Sequence, residues 1–406
     1  MKILYISHSD LLGRQFNGYT MMPELRKLGH ETFLAVDIQK DRENPFVHKI
    51  STPKMGTINR YLSKLERKIG IRNILPIQSS ELFRHEWYLK ADIVHLQLVH
   101  ATQYFSLLNL IRMSNEKKIV WTIHDPWITT GHCIYPLDCT GWLNKCQKCP
   151  YLELPFPIPR DTAWINWQLK RNILARTRDI HLIVASDYMK NIVKMSPITA
   201  KMPIALIPFG IDTNIYYPRR KEAARRKLGL PLDAIIISFR SVPDSPYKGL
   251  NYIEDALSKI SNETYIIITT LDGVGDLKKI SDRFPILEFG WIYDDEKKAA
   301  LLAASDIFLM PSPAEAFGLM AIEAMACGTP TVVFDGTSLP EVVGDAGIVV
   351  PMNNSDALAD AIKHLLTDKG LRDRTAENGV RRVQEKFTIK QYVESHLALY
   401  NEILSR

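Results

Sequence analysis

The sequence predicts an α/β protein built from two doubly wound domains, each a parallel sheet flanked by helices. Three observations carry this. At 406 residues the chain exceeds what one hydrophobic core usually supports, and about 150 residues per domain gives two or three domains. A hydrophobic content of 46% with 24% charged residues is that of a globular chain with a sizeable core. Short apolar runs alternate with helical stretches throughout, the signature of βαβ units on a parallel sheet.

In chain order, the first series reads as a strand over Lys2–Ser7, a helix near Tyr19–Leu28 and a strand over Glu31–Val36. It continues with a strand over Ile93–Leu96, a helix near Gln103–Met113 and a strand over Ile119–Ile123. The second series starts after Pro208. Its strands are Ala234–Phe239, Tyr265–Thr269, Leu287–Gly290, Ile307–Met310 and Thr331–Phe334, and its helices lie near Leu250–Ile260, near Glu296–Ala304 and from about Gly318. Pro208 and Gly210 interrupt the pattern, which sets the boundary there. The expected domains are 1–207 and 208–389, with an amphipathic last helix at about 390–406 packing back on the first. Open sheets of this kind bind ligands beyond the carboxyl ends of their strands, where strand order reverses.

No apolar run approaches the roughly 18 residues that span a bilayer. Stretches such as Ile235-Ile236-Ile237 have strand length, and Ile3-Leu4-Tyr5-Ile6 is too short for the core of a signal peptide. The expected location is cytoplasmic, at or near the inner face of the membrane. Five cysteines, four of them between positions 133 and 149, suit a reducing compartment better than a disulfide framework.

Charge is uneven. Residues 1–200 carry 27 Lys and Arg against 17 Asp and Glu, a balance of +10, so the remainder carries 24 against 28, or −4, within the total of +6. A basic first half suits an anionic partner such as a membrane surface, a polyphosphate-linked lipid or nucleic acid. Between Asn59 and Ile71, Arg60, Lys64, Arg67 and Lys68 are interleaved with Tyr61, Leu62, Leu65 and Ile69 at helical spacing. That pattern fits a basic amphipathic helix on an anionic membrane, and equally a solvated basic helix.

The most informative stretch runs from Pro311 to Pro330, leaving a strand and opening a helix that ends at Gly328. The helix start near Phe317-Gly318-Leu319 presents unpaired N–H groups and a partial positive charge, a natural seat for a phosphate. Glu315, just before it, can accept hydrogen bonds from sugar hydroxyls, and Glu323, further along, can reach a second hydroxyl-bearing ring. Upstream, Arg240 ends a strand and Lys248-Gly249 opens the next helix. Two cations at one strand rim can neutralise a diphosphate and stabilise it as it departs.

Taken together, Arg240 with Lys248, the Glu315…Glu323 spacing around Phe317-Gly318, the Cys327-Gly328-Thr329-Pro330 ending and Phe209-Gly210-Ile211-Asp212 resemble the retaining glycosyltransferases of the GT-B fold, in which two Rossmann-like domains face across a cleft. Trp121-Thr122-Ile123-His124-Asp125-Pro126-Trp127 with Thr130-Gly131-His132-Cys133 resembles the branch that builds bacterial capsule, exopolysaccharide or lipopolysaccharide. By that resemblance Glu315 contacts the transferred sugar, Glu323 the nucleotide ribose, and Arg240 with Lys248 the diphosphate. Phe317, Gly318 and Leu319 complete the donor seat, and Gly13 and Gly18 stand for the family's N-terminal glycine pair. His124 matches the histidine that reaches the donor sugar. The resemblance implies a UDP-, GDP- or ADP-linked sugar donor, a saccharide or lipid-linked acceptor, retention of configuration and no catalytic metal.

Without the resemblance, His124 reads as a hydrogen-bonded structural residue. His8, His95 and His100 also fall near strand ends and, with Asp125, are weaker candidates for the acceptor side. Cys133, Cys139, Cys146 and Cys149 form Cys-x5-Cys-x6-Cys-x2-Cys, which fits a structural zinc site, with His132 as an alternative ligand, or a set of buried free thiols. Cys327 belongs to the packing of its helix. Two rival functions remain: a zinc-stabilised nucleic-acid-binding protein, which the donor motif disfavours, and a sugar-nucleotide epimerase or phosphorylase on the same scaffold.

Overall fold

The computed structural model describes residues 1–240, 242, 245–261, 266–271 and 277–406. Ser241, Pro243 and Asp244 of the Arg240–Lys248 stretch, and Tyr265 of the expected strand, lie outside the described residues. The chain divides into two compact units, Met1–Pro208 with Tyr392–Arg406, and Phe209–Gln391.

The first unit holds seven strands: β1 (Lys2–Ser9), β2 (Glu31–Ile38), β3 (Val47–Lys49), β4 (Ile93–Leu96), β5 (Lys118–Thr122), β6 (Ile180–Val184) and β7 (Ile204–Leu206). All neighbours are parallel, in the order β3-β2-β1-β4-β5-β6-β7. The second unit holds β8 (Ile235–Arg240), β9 (Ile266–Leu271), β10 (Ile286–Glu288), β11 (Ile307–Met310), β12 (Thr331–Phe334) and β13 (Ile348–Val350). Its order is β10-β9-β8-β11-β12-β13, again wholly parallel. Continuous runs such as Ile3–Ile6 and Ile307–Met310 are buried along their length, as strands covered by helices on both faces require. Both sheets are therefore Rossmann-like, and strand order reverses between β1 and β4 and between β8 and β11. Each reversal opens a crevice at the carboxyl ends of the strands.

The helix expected near Gln103–Met113 begins later, at Asn109, and runs to Glu116. The preceding turn is held instead by side chains: Asn73 Nδ2 donates to Phe105 O at 3.0 Å, and Ser106 Oγ to Ile74 O at 2.6 Å. The basic helix spans Pro53–Ile69, with Thr52 capping its start and Gly70 its end in the left-handed region. Its polarity is the reverse of an ordinary surface helix. Asn59, Ser63 and Glu66 are buried, whereas Ile58, Tyr61 and Leu65 are exposed. Glu66 tolerates burial because it accepts from the backbone N–H groups of Asn73, Ile74 and Leu75 and from Gln103 Nε2.

The last helix, Ile389–Ser405, returns its C-terminal part to the first unit, where the Tyr400 hydroxyl lies 3.2 Å from that of Tyr5 and 2.6 Å from His95 Nδ1. Among the described residues, no helix is long and apolar enough to cross a membrane.

Candidate functional site

The second unit's crevice is built at the ends of β8 and β11. Gly249 and Gly318 shape it, at φ 71° and φ 106°, conformations that exact a steric cost from any side chain. A Cβ on Gly249 would stand 1.9 Å from the carbonyl oxygen of Pro311, so only glycine lets the loop after β8 close on the loop after β11. That approach brings Lys248 Nζ to 2.7 Å from Glu315 Oε2, with both side chains largely shielded. Ser338 Oγ donates to the Glu315 carbonyl at 3.0 Å and fixes the same loop. Gly318 then caps the Leu319–Ala326 helix, and its absent Cβ leaves room for Leu339, which would otherwise be met at 2.6 Å. Arg240 closes β8 on the same carboxyl rim, in register with Leu271 of β9.

Glu323 sits deeper than the sequence suggests. Its side chain is 2% exposed and pairs with Lys298 Nζ at 2.7 Å; Lys298 also lies over the Tyr216 ring and 3.8 Å from Asp295. Lys298 was not among the expected site residues, because an isolated lysine on the Asp295–Ala304 helix carries no motif. Phe317 turns its ring inward against Phe209 and Phe387, at 5.3 and 5.7 Å between centroids. Its side chain is thus core, and a ligand at the helix start would meet the backbone of Gly318 and Leu319 instead. Cys327 is buried, as expected of packing.

In the first unit the loop after β1 carries Gly13 and Gly18, both at positive φ. Asn17 ties that loop to the strand end by donating to Ser9 O and Asp10 O, each at 2.7 Å. A Cβ on Gly18 would stand 2.4 Å from the Tyr5 ring. The loop sets Phe16 against His124, 4.9 Å between ring centres. His124 Nε2 lies 2.8 Å from Gln97 Oε1, and burial, first among its influences, lowers its pKa to about 3. His100 Nε2 meets Asp125 Oδ2 at 3.0 Å and stacks on Trp127 at 4.5 Å. Burial lowers the pKa of His8 to about 4, with His100 and Asp37 acting on it as lesser neighbours. His8, His100, His124 and Asp125 therefore gather on one rim.

His95 does not join them. It is fully enclosed, with Nδ1 against Tyr400 and Nε2 2.7 Å from Thr122 Oγ1. With both ring nitrogens occupied inside the core, it anchors the last helix and has no path to an acceptor, which corrects the sequence expectation.

The cysteine loop is held by polar contacts. Gly131 N–H donates to Cys146 Sγ at 3.1 Å and Gly141 N–H to Cys139 Sγ at 3.3 Å, while His132 Nε2 lies 3.3 Å from Cys149 Sγ. All five cysteines are free thiols. Burial raises the pKa of Cys133 to about 11 and of Cys146 to about 12. Among the described residues, no three His, Cys, Asp or Glu side chains converge as a metal ion needs. Beneath the loop, the buried Lys170 Nζ donates to Trp127 O and Thr130 O at 2.5 and 3.0 Å.

Comparison with known proteins bears on the family and the fold. The family model described as "Glycosyl transferases group 1" matches residues 221–382, which include Arg240, Lys248, Glu315 and Glu323. The chain is 31% identical over 325 residues to the MMP alpha-(1->4)-mannosyltransferase of Mycolicibacterium hassiacum, covering 78% of this chain and 71% of that protein. Further mycobacterial relatives are matched over 40% to 50% of their own length. Likeness of fold extends to sucrose-phosphate synthase from Thermosynechococcus elongatus, with a TM-score of 0.69 at 18% identity over 99% of both chains. It extends equally to Anabaena HepE in complex with UDP and glucose, with a TM-score of 0.69 at 16% identity over 99% of this chain and 100% of that one. Two Rossmann-like units of the GT-B type, the family match and the mannosyltransferase likeness lead to one conclusion: the chain belongs to the group 1 glycosyltransferases.

Proposed function

We propose that the chain transfers a sugar, with retention of configuration, from a nucleotide diphosphate sugar to a saccharide or lipid-linked saccharide in bacterial surface-polysaccharide synthesis. The observation that carries this is the Lys248–Glu315 pair at 2.7 Å beside the Gly318 helix start, a cation and a carboxylate at the one point where a diphosphate and its sugar would meet. Lys248 and Arg240 neutralise the diphosphate, the helix start receives a phosphate oxygen, and Glu315 holds the transferred sugar. For configuration to be kept, the acceptor hydroxyl attacks from the leaving group's side. Its oxygen bonds to the anomeric carbon as the bond to the diphosphate breaks, and the departing phosphate oxygen takes the acceptor proton. No enzymic base is needed, which agrees with a His124 whose burial makes it a weak base; we assign His124 a hydrogen bond to the donor sugar. A surface-polysaccharide acceptor is supported by the Trp121–Trp127 motif and the cysteine loop that follows it.

GDP-mannose stands in the name of one mycobacterial relative, and UDP with glucose in the HepE complex. Thermal-shift measurements with UDP-, GDP- and ADP-sugars identify the donor, since a ligand that binds only the folded state raises its melting temperature. Transfer is then followed with and without acceptor. Turnover of the donor in water or phosphate alone at the full rate would refute transfer in favour of an epimerase or phosphorylase.

Two further assignments go with this reading. The exposed Ile58, Tyr61 and Leu65, flanked by Lys54, Lys64 and Lys68, suit peripheral contact with an anionic membrane; sedimentation with phosphatidylglycerol vesicles, absent with phosphatidylcholine, tests it. A structural zinc in the cysteine loop is supported by the N–H groups already directed at Cys139 and Cys146, as around metal-bound thiolates. Binding requires the thiols to turn toward one centre and lose their protons. Metal analysis of purified protein finding under a tenth of a zinc per chain would overturn it.

A further inference from the structure

Beside the Pro53–Ile69 helix, the first unit holds a groove that is open to solvent. Arg60, Lys64 and Arg67 line it from one face of the helix at i, i+4 and i+7, and Lys49 and Arg72 line it from elsewhere. Asp37 is the acidic side chain facing them, and both of its oxygens are engaged, by Gln78 Nε2 at 2.6 Å and Thr102 Oγ1 at 2.9 Å. Among the described residues, none of the five cations has a carboxylate within ion-pair distance; Arg60 meets only the Thr57 hydroxyl, at 3.2 Å.

Arg72 separates this groove from an ordinary basic surface. It is 9% exposed, its Nε has no hydrogen-bond partner, and its guanidinium lies over the Phe156 ring at 4.2 Å. A buried guanidinium with an idle donor forfeits its hydration without return, whereas stacking on an aromatic ring holds the fork ready for a planar or tetrahedral oxyanion. Glu66 acts on it from nearby but spends its own oxygens on backbone N–H groups and Gln103. Asn59 supplies a complementary group. Its Nδ2 donates to Gln103 O, and its buried Oδ1 has no partner, leaving an acceptor for a hydroxyl. The groove thus offers clustered cations, with Arg72 held in place at its floor, and an unsatisfied acceptor side by side. Asp37 and Lys49 bring it to the carboxyl ends of β2 and β3, the same edge of the sheet as His8 and His100.

We infer that this groove binds the acceptor through a phosphate or diphosphate group that the acceptor carries, with Arg72 at the floor, Lys64 and Arg67 at the rim, and Asn59 Oδ1 receiving a neighbouring hydroxyl. The inference rests on the proposed transfer reaction for the word acceptor, but its anion site is testable without it. Titration calorimetry of inorganic pyrophosphate is done on the Lys248→Ala protein, which removes a cation of the donor seat. Added to that background, Arg72→Met weakens pyrophosphate at least tenfold. Because Arg72 is buried and its loss could disturb folding, the rim variant Lys64→Glu with Arg67→Glu is measured in parallel, checked by its melting temperature, and shows the same loss. Glucose 1-phosphate and geranyl diphosphate form two further arms, and the one bound more tightly than pyrophosphate identifies a soluble or a lipid-borne phosphate. A loss smaller than tenfold in a folded rim variant overturns the groove site. Should nucleotide sugars still raise the melting temperature of that variant, the transfer reading survives without it.

Discussion

Lys248 Nζ and Glu315 Oε2 stand 2.7 Å apart although 67 positions separate them in sequence. Gly249 makes the pairing possible, because a side chain there would collide with the carbonyl of Pro311. Their shielding from water strengthens the attraction and makes each the other's penalty when removed. Glu315→Ala is therefore expected to lower kcat roughly 10²–10³-fold with the fold intact. Lys248→Met loses a similar factor and weakens donor binding as well. Steady-state kinetics with the donor found by thermal shift separates the two; wild-type turnover by Glu315→Ala would end the assignment.

Glu323 and Lys298 form the deeper pair, 2% and 12% exposed at the side chain. A ribose hydroxyl that bonded Glu323 would share the carboxylate with Lys298, so Lys298 positions it. Removing one partner of a buried pair costs about 3–5 kcal/mol, and replacing both by neutral groups costs less. Lys298→Met should then destabilise the protein more than Lys298→Met with Glu323→Gln. Chemical denaturation of the single and double variants measures the difference, and additive losses would show that the two do not interact.

These two pairs show what the sequence could and could not convey. Strands such as Ile307–Met310 and Thr331–Phe334 were legible because a strand buried on both faces is one unbroken apolar run. Lys248 and Glu315 were legible because each stands in a loop that leads from a strand to a helix opened by a glycine, Gly249 or Gly318. Lys298 was not, since its partner lies on another helix and periodicity holds no record of it. The reversed polarity of the Pro53–Ile69 helix was hidden for the same reason: Glu66 is buried to satisfy three backbone N–H groups of a loop that follows it. His95 was misread because a histidine at a strand end looks alike whether the strand opens on solvent or, as here, on a tyrosine over 300 residues away. Arg72 gave no signal at all in a chain with 51 Lys and Arg.

Tyr400 joins the last helix to β1 and β4 through Tyr5 and His95. Its hydroxyl is buried with that of Tyr5 and with His95 Nδ1, so Tyr400→Phe leaves two polar atoms without a partner and is expected to cost about 1–3 kcal/mol. Deleting residues 392–406 should cost far more, exposing His95 and the Tyr5 hydroxyl to solvent. Melting temperatures of both proteins test this. A Tyr400→Phe protein as stable as the parent would mean that packing alone holds the helix.

Histidines with a lowered pKa make the first unit sensitive to acid. Burial lowers the pKa of His8, His132 and His396 to about 4 and of His124 to about 3, each from 6.5. The sign follows from proton binding: between pH 6.5 and 4 the unfolded chain takes up protons that the folded chain refuses. Stability is therefore complete above pH 6.5 and falls as the pH drops, by up to about 1.4 kcal/mol per pH unit for each histidine. The loss ends near pH 4 for three of them and continues to pH 3 for His124. His396 is the cleanest to test, since it lies outside the candidate site, with Nδ1 2.8 Å from Tyr392 O and its ring against those of Tyr392, Tyr400 and His95. His396→Phe should flatten the fall in melting temperature between pH 7 and pH 5 while leaving donor binding at pH 7.5 unchanged. If the parent melts at one temperature across that range, the histidines are not held neutral by burial, and the same reasoning would no longer support a neutral His124 in the transfer reaction.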